Sequence, residues 1–182
     1  IGVVNLSLGD GGNWSDAFSL YGIGDELAVL AGSDVIIVAA AGNNYYQYNS
    51  MGVAYPASDP AVLAVGATWA ADFGGPWQIR TGAIDYTTGA DHIASFSQRD
   101  DVLLETFTPG ARFSGASASG GIKTMEGTSQ AAAFVSGIAA LCQQIAWEEL
   151  GRSLNTGEFS LLLAETGEMI MDGDNEVDNV SN

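Results

Sequence analysis

The chain is poor in basic residues and has no long apolar run. Its 182 residues include 5 Lys and Arg against 22 Asp and Glu, which gives a formal net charge of −17. This balance argues against nucleic acid as a partner and favours cations. Because no apolar stretch reaches about 18 residues, the sequence predicts no membrane-spanning helix. The chain starts without Met inside an apolar run, so we expect a fragment or processed piece of a longer protein.

Cysteine and histidine are almost absent. The single cysteine, Cys142, excludes an internal disulfide, and its apolar surroundings favour a small core residue over a reactive thiol. The single histidine is His92, so a reaction that needs a histidine must use this residue or one from outside the chain. The composition is 47% hydrophobic, which is enough for a globular domain with a substantial core.

Apolar runs in the first quarter of the chain predict a βαβ unit. Residues 35–40 and the start of the 3–8 segment are almost continuously apolar, as strands are when a parallel sheet is covered on both faces. A helix is predicted between them, with Ser15 or Asp16 as its cap. Its apolar stripe has helical spacing and consists of Leu20, Ile23, Leu27 and Leu30.

The rest of the chain continues the alternation of strands and helices. Further strands are predicted at 61–67 and 122–126. A long helix should run to about Leu150 and stop at Gly151, and a last helix should run from a cap at Thr156 to Gly167.

Residues 127–137, with the sequence GTSQAAAFVSG, combine a tight turn, two hydroxyl residues and an apolar helix. Gly127 allows the sharp turn. Ser129 then lies at the helix start, where free N–H groups and the positive end of the dipole would stabilise an oxyanion. The same pattern is typical of a simple N-cap, so a nucleophile and a cap are both open interpretations. Because the following residues are small or apolar all round, we expect a buried helix and not an amphipathic one.

Asn43 follows the second predicted strand directly, after Gly42. Ligands of open α/β sheets bind at the carboxyl ends of the strands. The Asn43 amide could therefore donate to a reacting carbonyl oxygen, or it could be an ordinary turn residue.

These segments resemble motifs of the subtilisin-like serine proteases. Residues 127–137 are similar to the nucleophile motif Gly-Thr-Ser-Met-Ala-x-Pro-His-Val-x-Gly, and residues 38–43 to the oxyanion-hole motif. The resemblance implies that Ser129 is the nucleophile and Asn43 an oxyanion donor. It also implies strands at 93–97 and 106–110, which are similar to the family's Ala-Ser-Phe-Ser strand and to its strand ending in Ala-Pro-Gly. Three positions depart from the family pattern, with other residues in place of its Met, Pro and His: Gln130, Ala133 and Phe134.

The resemblance also implies a fold and a substrate cleft. The fold is a three-layer α/β/α arrangement with a mostly parallel sheet, incomplete because only the second half of the family's catalytic domain is represented. One wall of the cleft would pair with the substrate backbone and consists of Ser7, Leu8 and Gly9, and the other wall consists of Ala40, Ala41 and Gly42. Their small side chains suggest a roomy apolar pocket.

Residues 55–67 are similar to the family segment Tyr-Pro-x-x-x-Pro-x-Val-x-x-Val-Gly-Ala. The resemblance implies a cis Tyr55–Pro56 bond, which X-Pro bonds permit at low cost. No cofactor is required for the chemistry. Carbonyls of this segment hold a weak cation in some relatives, which implies a structural Ca²⁺ at Ala57, Asp59 and Val62, although an unoccupied turn is the alternative.

Two segments fall outside the resemblance. Residues 69–92 are interpreted as an insertion with a short hairpin, whose Trp77 and Tyr86 could contact a partner or pack onto the body of the domain. Residues 172–182 are interpreted as a solvated acidic tail. The alternative is a partial calcium loop formed by Asp172, Asp174, Glu176 and Asp178.

Two functions follow from the sequence. The first is a subtilisin-like serine endopeptidase acting on polypeptides. The resemblance implies that its Asp and His lie in upstream motifs outside this chain. His92 is not expected to be the base, because it precedes the 93–97 segment within the insertion. This piece would then be inactive alone, covered by the missing amino-terminal half or a second chain, or self-associated. The second is a non-catalytic scaffold or peptide-binding module. Family habit implies a secreted or periplasmic protein.

Overall fold

The computed structural model describes residues 2–170, which form four helices and eight strands in the following order. The strands are β1 (Val3–Leu6), β2 (Ile36–Ala40), β3 (Leu63–Trp69), β4 (Trp77–Gln78), β5 (Ile84–Asp85), β6 (Leu104–Ala111), β7 (Phe113–Ala116) and β8 (Ile122–Met125). The helices are α1 (Gly24–Ala31), α2 (Tyr45–Tyr48), α3 (Thr128–Leu150) and α4 (Thr156–Thr166).

The main sheet has four parallel strands in the order β1-β2-β3-β6. The two hairpins, β4-β5 and β7-β8, are antiparallel. The predicted three-layer α/β/α fold with a mostly parallel sheet is therefore confirmed. No helix between residues 2 and 170 has both the length and the apolar character needed to cross a membrane.

The inner position of β2 in the sheet explains why its residues are apolar without alternation. All five of its residues are buried, and successive side chains enter different cores. Ile36 and Val38 pack with residues of α3 and α4, whereas Ile37 and Ala39 pack with Leu27 of α1 on the other face. A strand covered on both sides has no position left for a polar residue.

Helix α1 begins later than its apolar stripe predicts. It starts at Gly24, and neither Ser15 nor Asp16 caps it. The backbone is left-handed at Tyr21 (φ 58°) and Gly22 (φ 68°), a conformation that a right-handed helix cannot include. The prediction of a helix from residue 16 onwards was therefore wrong for its first turns.

The segment 93–97 is not a strand as predicted. Only Ile93 bridges Thr68, and the chain then turns, with the Ser97 N–H donating to the carbonyl of Ala94. The Ser97 hydroxyl oxygen accepts the N–H of Ala67 on β3 at 2.9 Å. The Ser97 hydroxyl thus accepts a backbone N–H of β3 that a carbonyl of a neighbouring strand would otherwise accept.

Helix α3 ends at Leu150 as predicted, with Gly151 in the left-handed conformation (φ 68°). The prediction that this helix is buried on all sides was wrong. One face is buried on the sheet, but the other face exposes Leu141 (63%), Ile145 (60%) and Trp147 (64%). Nothing among the described residues covers that side, so the helix carries apolar residues on both faces and buries only one.

Several local predictions can be compared directly. The Tyr55–Pro56 bond is cis, as predicted. The predicted hairpin is formed by β4 and β5. Trp77 packs this hairpin onto the body of the domain, and the guanidinium carbon of Arg112 lies 4.1 Å from the centre of the Trp77 ring. The cap of α4 is Asn155 in a capping box with Glu158, one residue before the predicted Thr156. The acidic tail at 172–182 lies outside the described residues.

Glu105 gives a pH-dependent prediction. The residue as a whole is exposed, but its Oε2 accepts the Ala64 N–H at 2.6 Å, and loss of hydration around the carboxyl raises its pKa from 4.5 to about 7. The Glu105 carboxyl loses its proton at a lower pH in the unfolded chain than in the folded chain. The free energy of unfolding that this residue contributes below pH 4.5 is therefore lost as the pH rises towards 7. Glu105→Gln, which stays neutral, should therefore raise the free energy of unfolding at pH 8 by about 0.5–1 kcal/mol after allowance for solvent screening, and leave it unchanged at pH 4.

Urea unfolding at the two pH values measures this difference. Glu165→Gln is the matched control, because it makes the same charge change on α4, away from the Ala64 N–H that Glu105 accepts. An equal increase in the free energy of unfolding from both variants, or an increase for Glu105→Gln at pH 4, would contradict the raised pKa of Glu105.

Candidate active site

Ser129 lies in the first turn of α3, at the carboxyl end of β1. It is the second residue of the helix and is half-buried. Its hydroxyl donates to the carbonyl of Ser7 at 3.3 Å, and the Ser7 hydroxyl donates to the carbonyl of Ser129 at 2.8 Å. These reciprocal bonds tie the start of the helix to the chain that leaves β1.

The turn before Ser129 is held against the sheet by two glycines. Gly127 has φ 149° and donates its N–H to the carbonyl of Gly110 at 3.0 Å. A Cβ at Gly110 would lie 2.8 Å from both the Ala67 methyl and the Gly127 carbonyl. Glycine at 110 is therefore a packing requirement, because any side chain would push the turn off the sheet.

Asn43 caps α3 from the end of the neighbouring strand β2. The helix's own N-cap residue, Gly127, has no side chain, and the Asn43 Oδ1 accepts the Thr128 N–H at 2.8 Å and the Thr128 hydroxyl at 3.1 Å. A backbone N–H can only donate, so the amide atom facing Thr128 must be the oxygen. The Asn43 Nδ2 is left as the atom that can serve a ligand.

Two N–H donors therefore belong to this corner of the sheet. One is the Asn43 Nδ2, and the other is the N–H of Ser129, which lies in the first helical turn where the helix offers no carbonyl partner. The positive end of the α3 dipole lies at the same place. Donors in this arrangement can stabilise negative charge that develops on an oxygen next to the Ser129 hydroxyl.

Asn43 and Ser129 line a common cleft of about 150 Å³. Its other lining residues are Leu8, Gly9, Gly11, Ala40, Gly42, Asn44, Ala54, Gln98 and Thr128. The structure thus brings together most of the residues that the sequence nominates. The cleft is smaller and more polar than the roomy apolar pocket expected from the sequence, because it includes the side-chain amides of Asn43, Asn44 and Gln98.

Two nominated residues are placed differently. Ser7 lines an adjacent groove together with Ser129. Ala41 is fully buried, its methyl group packs on the α1 side of the sheet, and its N–H and carbonyl bond to Val65 and Ala54. Their roles in substrate binding stay predictions.

The adjacent groove has a volume of about 1150 Å³ and is largely apolar. It is lined by α3 and by the β7-β8 hairpin, and Phe113 and Phe134 meet across it edge to face at 5.8 Å. His92 lines neither the groove nor the cleft, because its ring lies against Gly89 in the 69–92 segment. No histidine of the chain is thus placed beside Ser129.

Asp10 supports the cleft wall and was not singled out from the sequence. Burial acts to raise the pKa of its carboxyl, but N–H groups of Gly12, Trp14 and Tyr55 and the Tyr21 hydroxyl outweigh burial and lower it. The carboxylate therefore stays charged and joins residues 10–14 to Tyr55. A lone Asp before two glycines gives no sequence signal for such a role.

The predicted cation site consists of Ala57, Asp59 and Val62. Asp59 Oδ2 accepts the Ser19 hydroxyl at 2.7 Å, Oδ1 accepts the Ala61 N–H at 3.0 Å, and the Asp59 carbonyl accepts the Val62 N–H. Within residues 2–170, no three His, Cys, Asp or Glu side chains come together in a way that could hold a metal ion. A bound cation here stays a prediction.

Comparison with known proteins gives a family and several solved structures. The model of peptidase S8, the subtilase family, matches residues 1–159. Subtilisin-like protease 7 of Arthroderma gypseum is 31% identical over 138 residues, which are 76% of this chain and 27% of that protein.

Among solved structures, a cold-adapted subtilisin-like serine proteinase has a TM-score of 0.67 at 26% identity, covering 95% of this chain and 50% of its own. The patellamide maturation protease PatA has a TM-score of 0.67 at 26% identity, and the match covers 94% of this chain and 54% of that structure. The chain spans about half the length of these structures and about a quarter of the curated relative.

Proposed function

Because this chain belongs to the subtilase family, we propose that it is the carboxyl-terminal part of a serine endopeptidase that hydrolyses peptide bonds through an acyl-enzyme on Ser129. The observation that carries the proposal is the orientation of the Asn43 amide. Its oxygen is committed to Thr128 at the start of α3, which leaves its nitrogen for a substrate oxygen beside Ser129.

In the proposed reaction, a base removes the proton of the Ser129 hydroxyl while its oxygen bonds to the scissile carbonyl carbon. The carbonyl oxygen becomes an oxyanion and accepts hydrogen bonds from the Asn43 Nδ2 and the Ser129 N–H. Collapse of this intermediate breaks the C–N bond, and the protonated base gives its proton to the leaving amine. Water then hydrolyses the acyl-enzyme by the same steps.

We propose that the base and its orienting carboxylate come from residues outside this chain. The support is that His92 lies elsewhere and that Ser129 borders an apolar groove of about 1150 Å³. Covering this groove and the exposed side of α3 would bury apolar surface and could carry a histidine to Ser129. The missing amino-terminal half of the domain is the proposed occupant, with a second chain or self-association as the alternative.

The remaining roles are proposals of the same kind. A polypeptide substrate would pair with the backbone of Ser7, Leu8 and Gly9 and place a side chain between them and the Ala40, Ala41 and Gly42 segment. A structural Ca²⁺ at Ala57, Asp59 and Val62 and a secreted or periplasmic location complete the proposal.

Labelling with a fluorophosphonate tests the division of the catalytic groups. The complete protein should react rapidly at Ser129, because a base activates its hydroxyl, whereas residues 1–182 alone should react at the slow rate of an ordinary serine. Mass spectrometry of the labelled peptide identifies the serine, and circular dichroism checks that the piece is folded. Rapid labelling of the piece would contradict an external base.

The same experiment tests the alternative of a non-catalytic scaffold. A complete protein that is folded but neither labels at Ser129 nor hydrolyses a casein or mixed-peptide substrate would favour the scaffold.

A further inference from the structure

The amide of Gln98 has a fixed orientation at the floor of the cleft. The side chain is fully buried, and its Nε2 donates to the carbonyl of Gly12 at 2.9 Å and to the Asn13 Oδ1 at 2.7 Å. The Asn13 Nδ2 is itself used on the carbonyls of Ser50 and Met51, so its Oδ1 must face Gln98. With two acceptors on one side, the Gln98 nitrogen cannot exchange places with its oxygen.

The Gln98 oxygen is consequently left without a partner. Among the described residues nothing donates to Oε1, although it is inaccessible to solvent. It lies against Gly42, where an added Cβ would be only 1.9 Å away, and both residues line the cleft that contains Ser129. A buried amide oxygen without a donor is unfavourable. A ligand that brings a donor into the cleft and displaces the Gly42 backbone or the Gln98 side chain enough to reach Oε1 would therefore be bound preferentially.

The chemistry of the cleft restricts that donor. None of its lining residues is ionisable, and the Asp10 carboxylate behind its wall is already bonded to N–H groups of Gly12, Trp14 and Tyr55. A buried ammonium or guanidinium group would therefore have no free countercharge. A volume of about 150 Å³ suits one side chain of moderate size. A neutral side-chain amide meets both conditions, since it brings N–H donors without a charge.

Resting on the proposed protease function, we propose that Gln98 is a specificity-determining residue that selects glutamine or asparagine immediately before the scissile bond. The amide N–H of that substrate side chain donates to the Gln98 Oε1. The positions of Asn43 and Ser129 in the same cleft place the reacting carbonyl next to this side chain.

A set of peptides that differ only in this residue tests the proposal on the complete protein. The residue is Gln, Met, Glu or Lys, so that length is nearly constant while the donor and the charge change. We expect kcat/KM to be about tenfold or more higher for Gln than for Met, because Met leaves the buried oxygen unpaired. We expect lower values for Glu and Lys than for Gln.

Gln98→Met should bring the Gln-to-Met ratio of kcat/KM to about one or below. Gln47→Met is the matched control, because its amide donates to the Thr81 carbonyl outside the cleft, and it should keep the natural ratio. Gln98→Met also removes the bonds to Gly12 and Asn13, but the peptide series on the natural protein does not depend on how that variant folds.

The outcomes separate the two proposals. Cleavage of the series with no preference for Gln, or with a preference for Met or Lys, overturns the specificity inference and leaves the protease function intact. Failure to cleave any of these peptides or a general protein substrate overturns the protease function, and the specificity inference with it.

Discussion

Replacing Ser129 with alanine in the complete protein is expected to lower the rate of peptide hydrolysis by at least about 10⁴-fold. The change removes the oxygen that would form the acyl-enzyme, while the Ser7 hydroxyl keeps its bond to the backbone carbonyl of residue 129. The fold should therefore survive. Steady-state kinetics on a chromogenic peptide measures the rate, and thermal unfolding checks the structure.

Ser136→Ala is the matched control for this substitution. Ser136 is on the same helix, where its hydroxyl donates to the Ala132 carbonyl and to Asn5, and its removal should leave the rate within about threefold. If Ser129→Ala kept more than a tenth of the activity, or if both variants lost activity equally, Ser129 would not be the nucleophile.

Changing Asn43 to aspartate is expected to separate its two roles. Aspartate keeps an oxygen for the Thr128 N–H, and a negative charge is favourable at the start of α3, so stability should hold or rise slightly. The Nδ2 donor is lost and a negative charge faces the developing oxyanion. We expect kcat to fall by about 10²- to 10³-fold or more, with KM little changed.

Asn43→Ala supplies the contrasting variant. It loses the donor and the cap together, so it should show a similar fall in kcat and also a loss of about 1 kcal/mol in the free energy of unfolding. Kinetics together with urea unfolding distinguishes the two variants. If Asn43→Asp were fully active, the amide nitrogen would not be an oxyanion donor, and Asn43 would be a helix cap alone.

Strong local patterns predicted the elements that position the site. Strand β2 and helix α3 were predicted because burial on both faces of a sheet, and a glycine stop at Gly151, leave clear marks in sequence. The rule that ligands bind at the carboxyl ends of parallel strands indicated Asn43. Its meeting with Ser129 in one cleft was implied by the family resemblance, because Ser129 follows the antiparallel β7-β8 hairpin and not a strand of the parallel sheet.

Long-range contacts account for what could not be predicted. The exposed side of α3 was missed because composition indicates that residues are apolar, but not what covers them. The use of the Asn43 oxygen as a cap depends on a residue 85 positions away. Gln98 was missed for a similar reason, since its partners Gly12 and Asn13 belong to a distant loop without a regular pattern.

The positions where residues 127–137 depart from the family motif have a common location. Gln130, Ala133 and Phe134 all line the large groove beside α3, whereas Gly127 and Thr128 face the sheet and match the motif. Divergence is thus confined to the surface that a complementary half of the domain would contact. An amino-terminal half taken from another subtilase would meet a phenylalanine where its own partner carries histidine, so we expect halves exchanged between relatives to fit this chain poorly.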